Sequence, residues 1–160
     1  VDGDTIEPDE RGADEMLVLH TPGHSKGSIS LLMQSERALF SGDAIPVAGD
    51  LPVYDDAALS VKSVKRLRGI AGIRVLLSSW DEPRREGAVY QRMDEALEYL
   101  RIIHEAVLTS YNERVTDPVE LSKKTAAELG LPPQEVTALL ERTFTANLQI
   151  RDHKNLLEDY

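Results

Sequence analysis

The sequence predicts a mixed α/β (α+β) fold, a small sheet followed by a helical region. Three observations carry the prediction. Short apolar runs at 16–19, 28–33 and 38–40 are separated by tight polar turns, the pattern of an antiparallel meander. A stretch with helical spacing then leads into the β-branched run 73–77. Beyond it Val89, Met93, Leu97, Leu100, Ile103, Val107 and Tyr111 recur every three or four residues, as in a helix with one buried face.

In chain order, residues 1–15 are acidic and turn-rich, with a turn at Asp2-Gly3-Asp4 and a short extended piece at Thr5-Ile6. The run 16–19 is continuously apolar and reads as a strand buried on both faces. The next two strands follow, the last stopping at Ser41-Gly42-Asp43. Residues 44–56 form a long loop with Pro46, Gly49 and Pro52. Asp55 or Asp56 suits the N-cap of a helix whose stripe is Leu59, Val61, Val64, Leu67 and Ile70. Lys62, Lys65, Arg66 and Arg68 line its other side, which reads as a solvated face. Gly69 and Gly72 end it. The long helix is expected from about 84 to 111, then a helix over 118–129 with Asp117 before Pro118, then another from Pro132-Pro133 carrying Val136, Leu139, Leu140, Thr143 and Phe144. The tail 151–160 reads as polar. A boundary is expected near Glu113 to Thr116, dividing a sheet-bearing unit (1–113) from a small all-helical region (114–160).

Composition narrows the function. The chain has 160 residues, 41% hydrophobic and 29% charged, as in ordinary globular proteins. A formal net charge of −10 argues against a nucleic-acid partner. No apolar run approaches the ~20 residues of a membrane span, so no membrane partner is expected. There is no cysteine, which removes disulfides, thiolate metal sites and cysteine nucleophiles, and fits a reducing, cytoplasmic setting. Any metal is therefore held by histidine and carboxylate.

The chemistry concentrates in His20-Thr21-Pro22-Gly23-His24-Ser25-Lys26-Gly27-Ser28, a loop between two strands with two histidines and a Pro-Gly turn. Such a loop fixes an imidazole in place, as a metal or acid–base site requires. Asp43, Trp80 and Asp81 stand at other strand ends, where a site at one sheet edge would draw its groups. A His–carboxylate set suits zinc, iron or manganese.

This loop, a hairpin, and then Leu39-Phe40-Ser41-Gly42-Asp43 together resemble the central part of the metallo-β-lactamase superfamily, with its "TPGHT-x-GS" loop and following "GD". The resemblance covers roughly residues 1–111. It implies the second half of an αββα sandwich with an added C-terminal helical region, and a hydrolase that uses metal-activated water on an ester, thioester, amide or phosphodiester. By the same resemblance His24 is a metal ligand, Asp43 a carboxylate bridging two ions, and zinc, one or two ions, the expected cofactor. His20 matches no ligand position and reads as structural. Two departures qualify this. The family's N-terminal "H-x-H-x-D-H" motif does not occur, so the chain reads as the C-terminal portion of a longer protein. Trp80 stands where the family has a second-metal histidine, leaving Asp81 as the replacement ligand; the alternative for Asp81 is a carboxylate at a helix start.

The remaining expectations are these. Tyr54, on the 44–56 loop, and Trp80 are the candidate substrate-binding residues for a small-molecule substrate. No catalytic acid or base is singled out. Half a sandwich exposes an apolar sheet face, so a tight partner is expected, either the N-terminal half of the same protein or a second copy. His104 and His153 read as packing or surface residues. The 119–132 stretch resembles a helix–turn–helix, but residues 116–160 hold five Lys/Arg against eight Asp/Glu, so a helical cap is the better reading. The rival to an enzyme is a degenerate scaffold or binding protein of the same fold that has lost metal ligands.

Overall fold

The computed structural model describes residues 1–6, 15–112, 115, 117–132 and 138–160. The acidic stretch from Glu7 to Asp14, the boundary residues Glu113 and Thr116, and the expected helix start at Pro133 to Val136 lie outside the described residues.

Six strands among them form one sheet in chain order: β1 (Thr5–Ile6), β2 (Met16–His20), β3 (Ile29–Met33), β4 (Ala38–Gly42), β5 (Val75–Ser78) and β6 (Arg84–Arg85). β1 to β4 are the expected antiparallel meander. β5 then pairs with β4 in parallel, reached through helix α1 (Ala57–Arg68), and β6 returns antiparallel. Four helices follow: α2 (Gly87–Asn112), α3 (Pro118–Glu128), α4 (Ala138–Leu148) and α5 (Leu156–Asp159).

The local signals explain most boundaries. Asp56 caps α1, its carboxylate accepting from Leu59 N–H at 2.8 Å. Asp117 caps α3 by accepting from the N–H groups of Val119 and Glu120, with Pro118 in the first turn. The start of α2 differs from expectation. Residues 84–85 pair with β5 instead of turning helical, because Asp81 holds the Arg84 guanidinium and Glu86 turns the chain with φ 53°. The tail also differs: Leu156, 1% exposed, plugs α5 into the core, and the Lys65 ammonium binds the carbonyl of Leu157.

Register divides the sheet into two faces. Leu17, Leu32, Leu39 and Leu76 face each other across β2 to β5. They join one core with Val61, Val64 and Leu67 of α1, Met93, Leu100 and Ile103 of α2, and Leu140, Phe144 and Leu156 of the C-terminal helices. The helical region and the sheet therefore share a single core. The opposite face carries Met16, Leu31, Met33, Phe40, Val75 and Leu77, all only half-buried, with Ile29 exposed. Strand β2 is buried on both faces only in its second half: Val18 and Leu19, on opposite faces, are buried, whereas Met16 and Leu17 at its start are half-buried. The four basic residues of α1 are tethers more than a free face: Arg66 grips Asp2, Arg68 grips Asp94, and Lys62 lies over the Tyr160 ring at 5.0 Å. No described helix is long and apolar enough to cross a membrane.

Because Phe144 is fully buried in the shared core, Phe144→Ala should destabilise the whole chain by about 3–5 kcal/mol. Denaturant unfolding followed by circular dichroism should show one shifted transition; a second transition left at the original midpoint would mean that the helical region unfolds separately.

Candidate metal site

The ends of β2, β4 and β5 and the start of β3 meet at one edge of the sheet, and the loop 20–28 lies there against the start of α1. Gly23 is required for this approach. Its φ is 140°, and a Cβ would fall 2.4 Å from Ser60 Oγ. Its carbonyl accepts from the N–H groups of Asp55 and Asp56, at 2.7 and 3.2 Å, and Ser63 Oγ donates to the Pro22 carbonyl at 2.6 Å. Ser25 and Ser28 brace the far side through their hydroxyls, 2.9 Å apart. His20 closes the base: its Nε2 lies 3.0 Å from the Lys26 carbonyl and its backbone N–H donates to Asp2. The Asp2 carboxyl is held below its ordinary pKa by that N–H and by Arg66. His20 is a structural residue, as its place in the loop suggested.

His24 is held differently. Its Nδ1 lies 2.7 Å from the Val53 carbonyl, an acceptor, so Nδ1 carries the proton and donates. In the neutral ring this leaves Nε2 as the lone-pair nitrogen, and Nε2 faces Asp43 Oδ2 at 3.8 Å. That gap is too wide for a hydrogen bond. It is shorter than two metal–ligand bonds of about 2.0–2.2 Å placed end to end, so one ion can touch both. A histidine oriented by a backbone carbonyl beside a carboxylate is a donor set suited to a divalent cation. Among the described residues no group of three or more His, Cys, Asp or Glu is assembled. The chain thus brings together two of the expected donors.

Of the other candidates, Trp80 stays at the site, and Asp81 and Tyr54 are engaged elsewhere. Trp80 is 79% exposed, and its Nε1–H donates to Asp43 Oδ1 at 2.8 Å. Asp81 is turned to a different task. Its carboxylate accepts from Arg84 Nε at 2.9 Å and Nη2 at 2.6 Å, and Arg92 Nε lies 2.9 Å from its Oδ2. The Arg84 guanidinium, foremost, holds the Asp81 carboxyl below the ordinary range. Two guanidinium groups occupy the oxygens that a metal would need, so the expected replacement ligand is an ion-pair anchor here. Tyr54 is likewise displaced from its expected role. It is 3% exposed, its hydroxyl accepts from Asn147 Nδ2 at 2.9 Å, and its backbone is bonded to Thr143. It belongs to the junction with α4, and burial pushes its hydroxyl pKa up. His104 is fully buried in the same junction, between Asn147 and the carbonyl of His153.

A cavity of about 680 Å³ opens beside the two donors. Its walls are Ile45, Pro46, Val47, Leu51, Val53, Trp80 and, from the turn after α3, Leu131 and Pro132. The loop 44–56 is therefore a cavity wall. Three of its carbonyls are pinned from outside: Pro46 by Arg92 Nη2 at 3.1 Å, Asp50 by the Tyr99 hydroxyl at 2.6 Å, and Val53 by His24. Burial raises the Tyr99 pKa to about 12, so it remains a donor. The sequence reading missed Arg92. It sits between Val89 and Ala96 on the apolar stripe of α2, and a charged residue at core-facing spacing was the available signal.

The fold thus sets His24 and Asp43 side by side at one sheet edge, beside an apolar cavity. The sequence profile of the Metallo-beta-lactamase superfamily matches residues 7–136, and the chain belongs to that superfamily. Similar solved structures include a metallo-beta-lactamase family protein from Thermus thermophilus, with TM-score 0.71 and 22% identity over 96% of this chain and 48% of that one. A beta-lactamase domain protein from Burkholderia ambifaria has TM-score 0.62 and 19% identity over 96% of this chain and 45% of its own. The stereoselective inverting sec-alkylsulfatase of a Pseudomonas species has TM-score 0.62 and 15% identity over 98% of this chain and 26% of its own. The chain thus spans under half the length of these structures.

The Arg92–Asp81 pair has side chains 5% and 8% exposed. Asp81→Ala leaves the Arg92 charge buried and should cost about 3–5 kcal/mol at pH 7. Since folding lowers the Asp81 pKa, its contribution is complete above pH ~4 and is lost as the pH falls through the folded value. Denaturant unfolding at pH 7 and pH 3 should therefore show the gap between wild type and Asp81→Asn narrowing in acid.

Proposed function

We propose that this chain is the C-terminal half of a metal-dependent hydrolase, supplying His24 and Asp43 to the metal and the apolar wall to the substrate. The observation that carries the reading is the His24–Val53 hydrogen bond, which in the neutral ring makes Nε2 the lone-pair nitrogen, facing Asp43. Bound zinc, or iron or manganese in the same set, supplies Lewis acidity and an activated water. The chain's own residues orient that chemistry: Val53 fixes the His24 tautomer, and the wall of Ile45, Val47, Leu51 and Leu131 excludes bulk water.

The wall also bears on the substrate. No lysine or arginine lines the cavity among the described residues, and its charged groups are Asp43 and Asp50, beside the His24 imidazole. This favours a small molecule with an apolar acyl or aryl group, an ester, thioester or amide, over an anionic phosphodiester.

Two donors do not complete a catalytic centre, which takes three protein ligands at zinc. The remainder comes from a segment of the same gene product packed on the open sheet face, because similar structures matched over nearly all of this chain are about twice its length. A second copy is the competing occupant. A non-enzymatic scaffold is the second reading, favoured by the Trp80 bond that engages one oxygen of Asp43.

Metal analysis of the full-length protein decides between enzyme and scaffold. Wild type and His20→Ala should retain zinc, iron or manganese. His24→Ala and Asp43→Ala should lose it, with hydrolysis of aryl and acyl esters falling at least 100-fold; metal-free wild type would leave the scaffold. The covered face has its own test. Leu31→Glu in the full-length protein should cost roughly 2 kcal/mol or more, as for a charge placed in a packed interface. A change within about 0.5 kcal/mol would mean that this face is in water.

A further inference from the structure

Asp43 has two carboxylate oxygens, and the structure gives them different neighbours. Oδ2 faces the lone-pair nitrogen of His24 at 3.8 Å, and Oδ1 accepts the indole N–H of Trp80 at 2.8 Å. An indole nitrogen is a donor only, so it ligates nothing. It also directs the positive end of its N–H dipole at Oδ1. A cation that used the other lone pair of Oδ1 would sit beside that positive end, which repels it. We propose that Trp80 restricts Asp43 to one metal ion, held through Oδ2, and so makes the centre mononuclear. This rests on the reading of His24 and Asp43 as metal ligands.

Three further observations support it. Trp80 is 79% exposed, so packing does not account for its position; the bond to Asp43 does. The turn that carries it is tied to the end of β4, the Ser79 N–H donating to the Gly42 carbonyl at 3.2 Å. The neighbouring carboxylate that would otherwise serve a second ion, Asp81, is held by Arg84 and Arg92. Trp80 is thus a positioning residue: it fixes which oxygen of Asp43 is offered and leaves the other occupied.

Trp80 is the one tryptophan of this chain, and in the full-length protein its emission is the component that Trp80→Phe removes. The experiment loads full-length protein with zinc, removes the excess by desalting and counts bound zinc by mass spectrometry, in wild type, His24→Ala, Trp80→His and Trp80→Phe. Wild type should hold one zinc per chain that His24→Ala removes, and Trp80→His, which adds an imidazole, should hold two. In a parallel zinc titration, the emission component absent from Trp80→Phe should change and reach its plateau at one equivalent. Two zinc ions in wild type, a plateau at two equivalents, a silent Trp80 in zinc-bound protein, or one ion in Trp80→His would each overturn the inference while leaving the hydrolase reading intact. No zinc, iron or manganese in wild type would overturn both.

Discussion

The hydrogen bond from His24 Nδ1 to the Val53 carbonyl is the contact on which the site depends. It joins two loops that share no regular structure, 20–28 and 44–56. It does two things at once. It sets the tautomer, so that Nε2 is the nitrogen presented at the sheet edge. It also holds the cavity wall at a fixed distance from that nitrogen. Within the wall one backbone bond runs from the Asp50 N–H to the Val47 carbonyl, and side chains from elsewhere hold three of its carbonyls. Arg92 and Tyr99, both on α2, take Pro46 and Asp50. A hydrogen bond with a charged partner contributes about 1.5–3 kcal/mol and a neutral one about 1. Three such bonds are enough to localise a loop of this length, and two of them tie it to the longest helix of the chain.

Below this edge the sheet changes character. Away from the site its covered face is leucine: Leu17, Leu32, Leu39 and Leu76. Toward the site the same face becomes Thr21, Ser30, Ser41 and Ser78. Thr21 and Ser30 hydroxyls lie 2.9 Å apart, Ser30 Oγ donates to the Ser41 carbonyl at 3.2 Å, and Ser41 and Ser78 hydroxyls lie 2.9 Å apart. The first three are fully buried, and a buried hydroxyl is tolerated only when it is bonded. The string crosses β3, β4 and β5 directly under the loops that carry His24, Asp43 and Trp80. It fixes their relative height through directional bonds where leucine packing would allow sliding. The buried Arg92–Asp81 ion pair adds a charge contact between α2 and the turn after β5.

Local signals made much of this legible in the sequence. The meander, the cap at Asp56, the stripe of α2 and the loop around His24 each follow from a few neighbouring residues, and each is found in the structure. The parts that were not legible depend on partners far along the chain. Tyr54 reads as a polar-tipped loop residue, but Thr143 and Asn147, some ninety positions away, draw it into the core. Asp81 reads as a replacement ligand or a carboxylate at a helix start until Arg92 arrives from α2. The strand at Arg84–Arg85 is invisible to periodicity because two residues have none. Leu156 sits in a polar tail, and only the tertiary fold shows that it closes the core.

Two deficits of the chain coincide in space, and that coincidence constrains any partner. One is the apolar face of Met16, Leu31, Met33, Phe40 and Leu77, which no described helix covers. The other is the donor set, two groups where a metal needs more. Both belong to the same sheet. Phe40 lies three residues before Asp43 on the strand that leads into it, and β3 starts where the His24 loop ends. A body packed on the open face would lie beside the edge where His24 and Asp43 stand. A partner bound to the helical side would meet neither need, because that side already closes on α1, α2 and the C-terminal helices. If the N-terminal segment proposed above packs on this face, burial of the face and completion of the site become one event, with the energy of covering apolar surface available to hold the remaining donors in place.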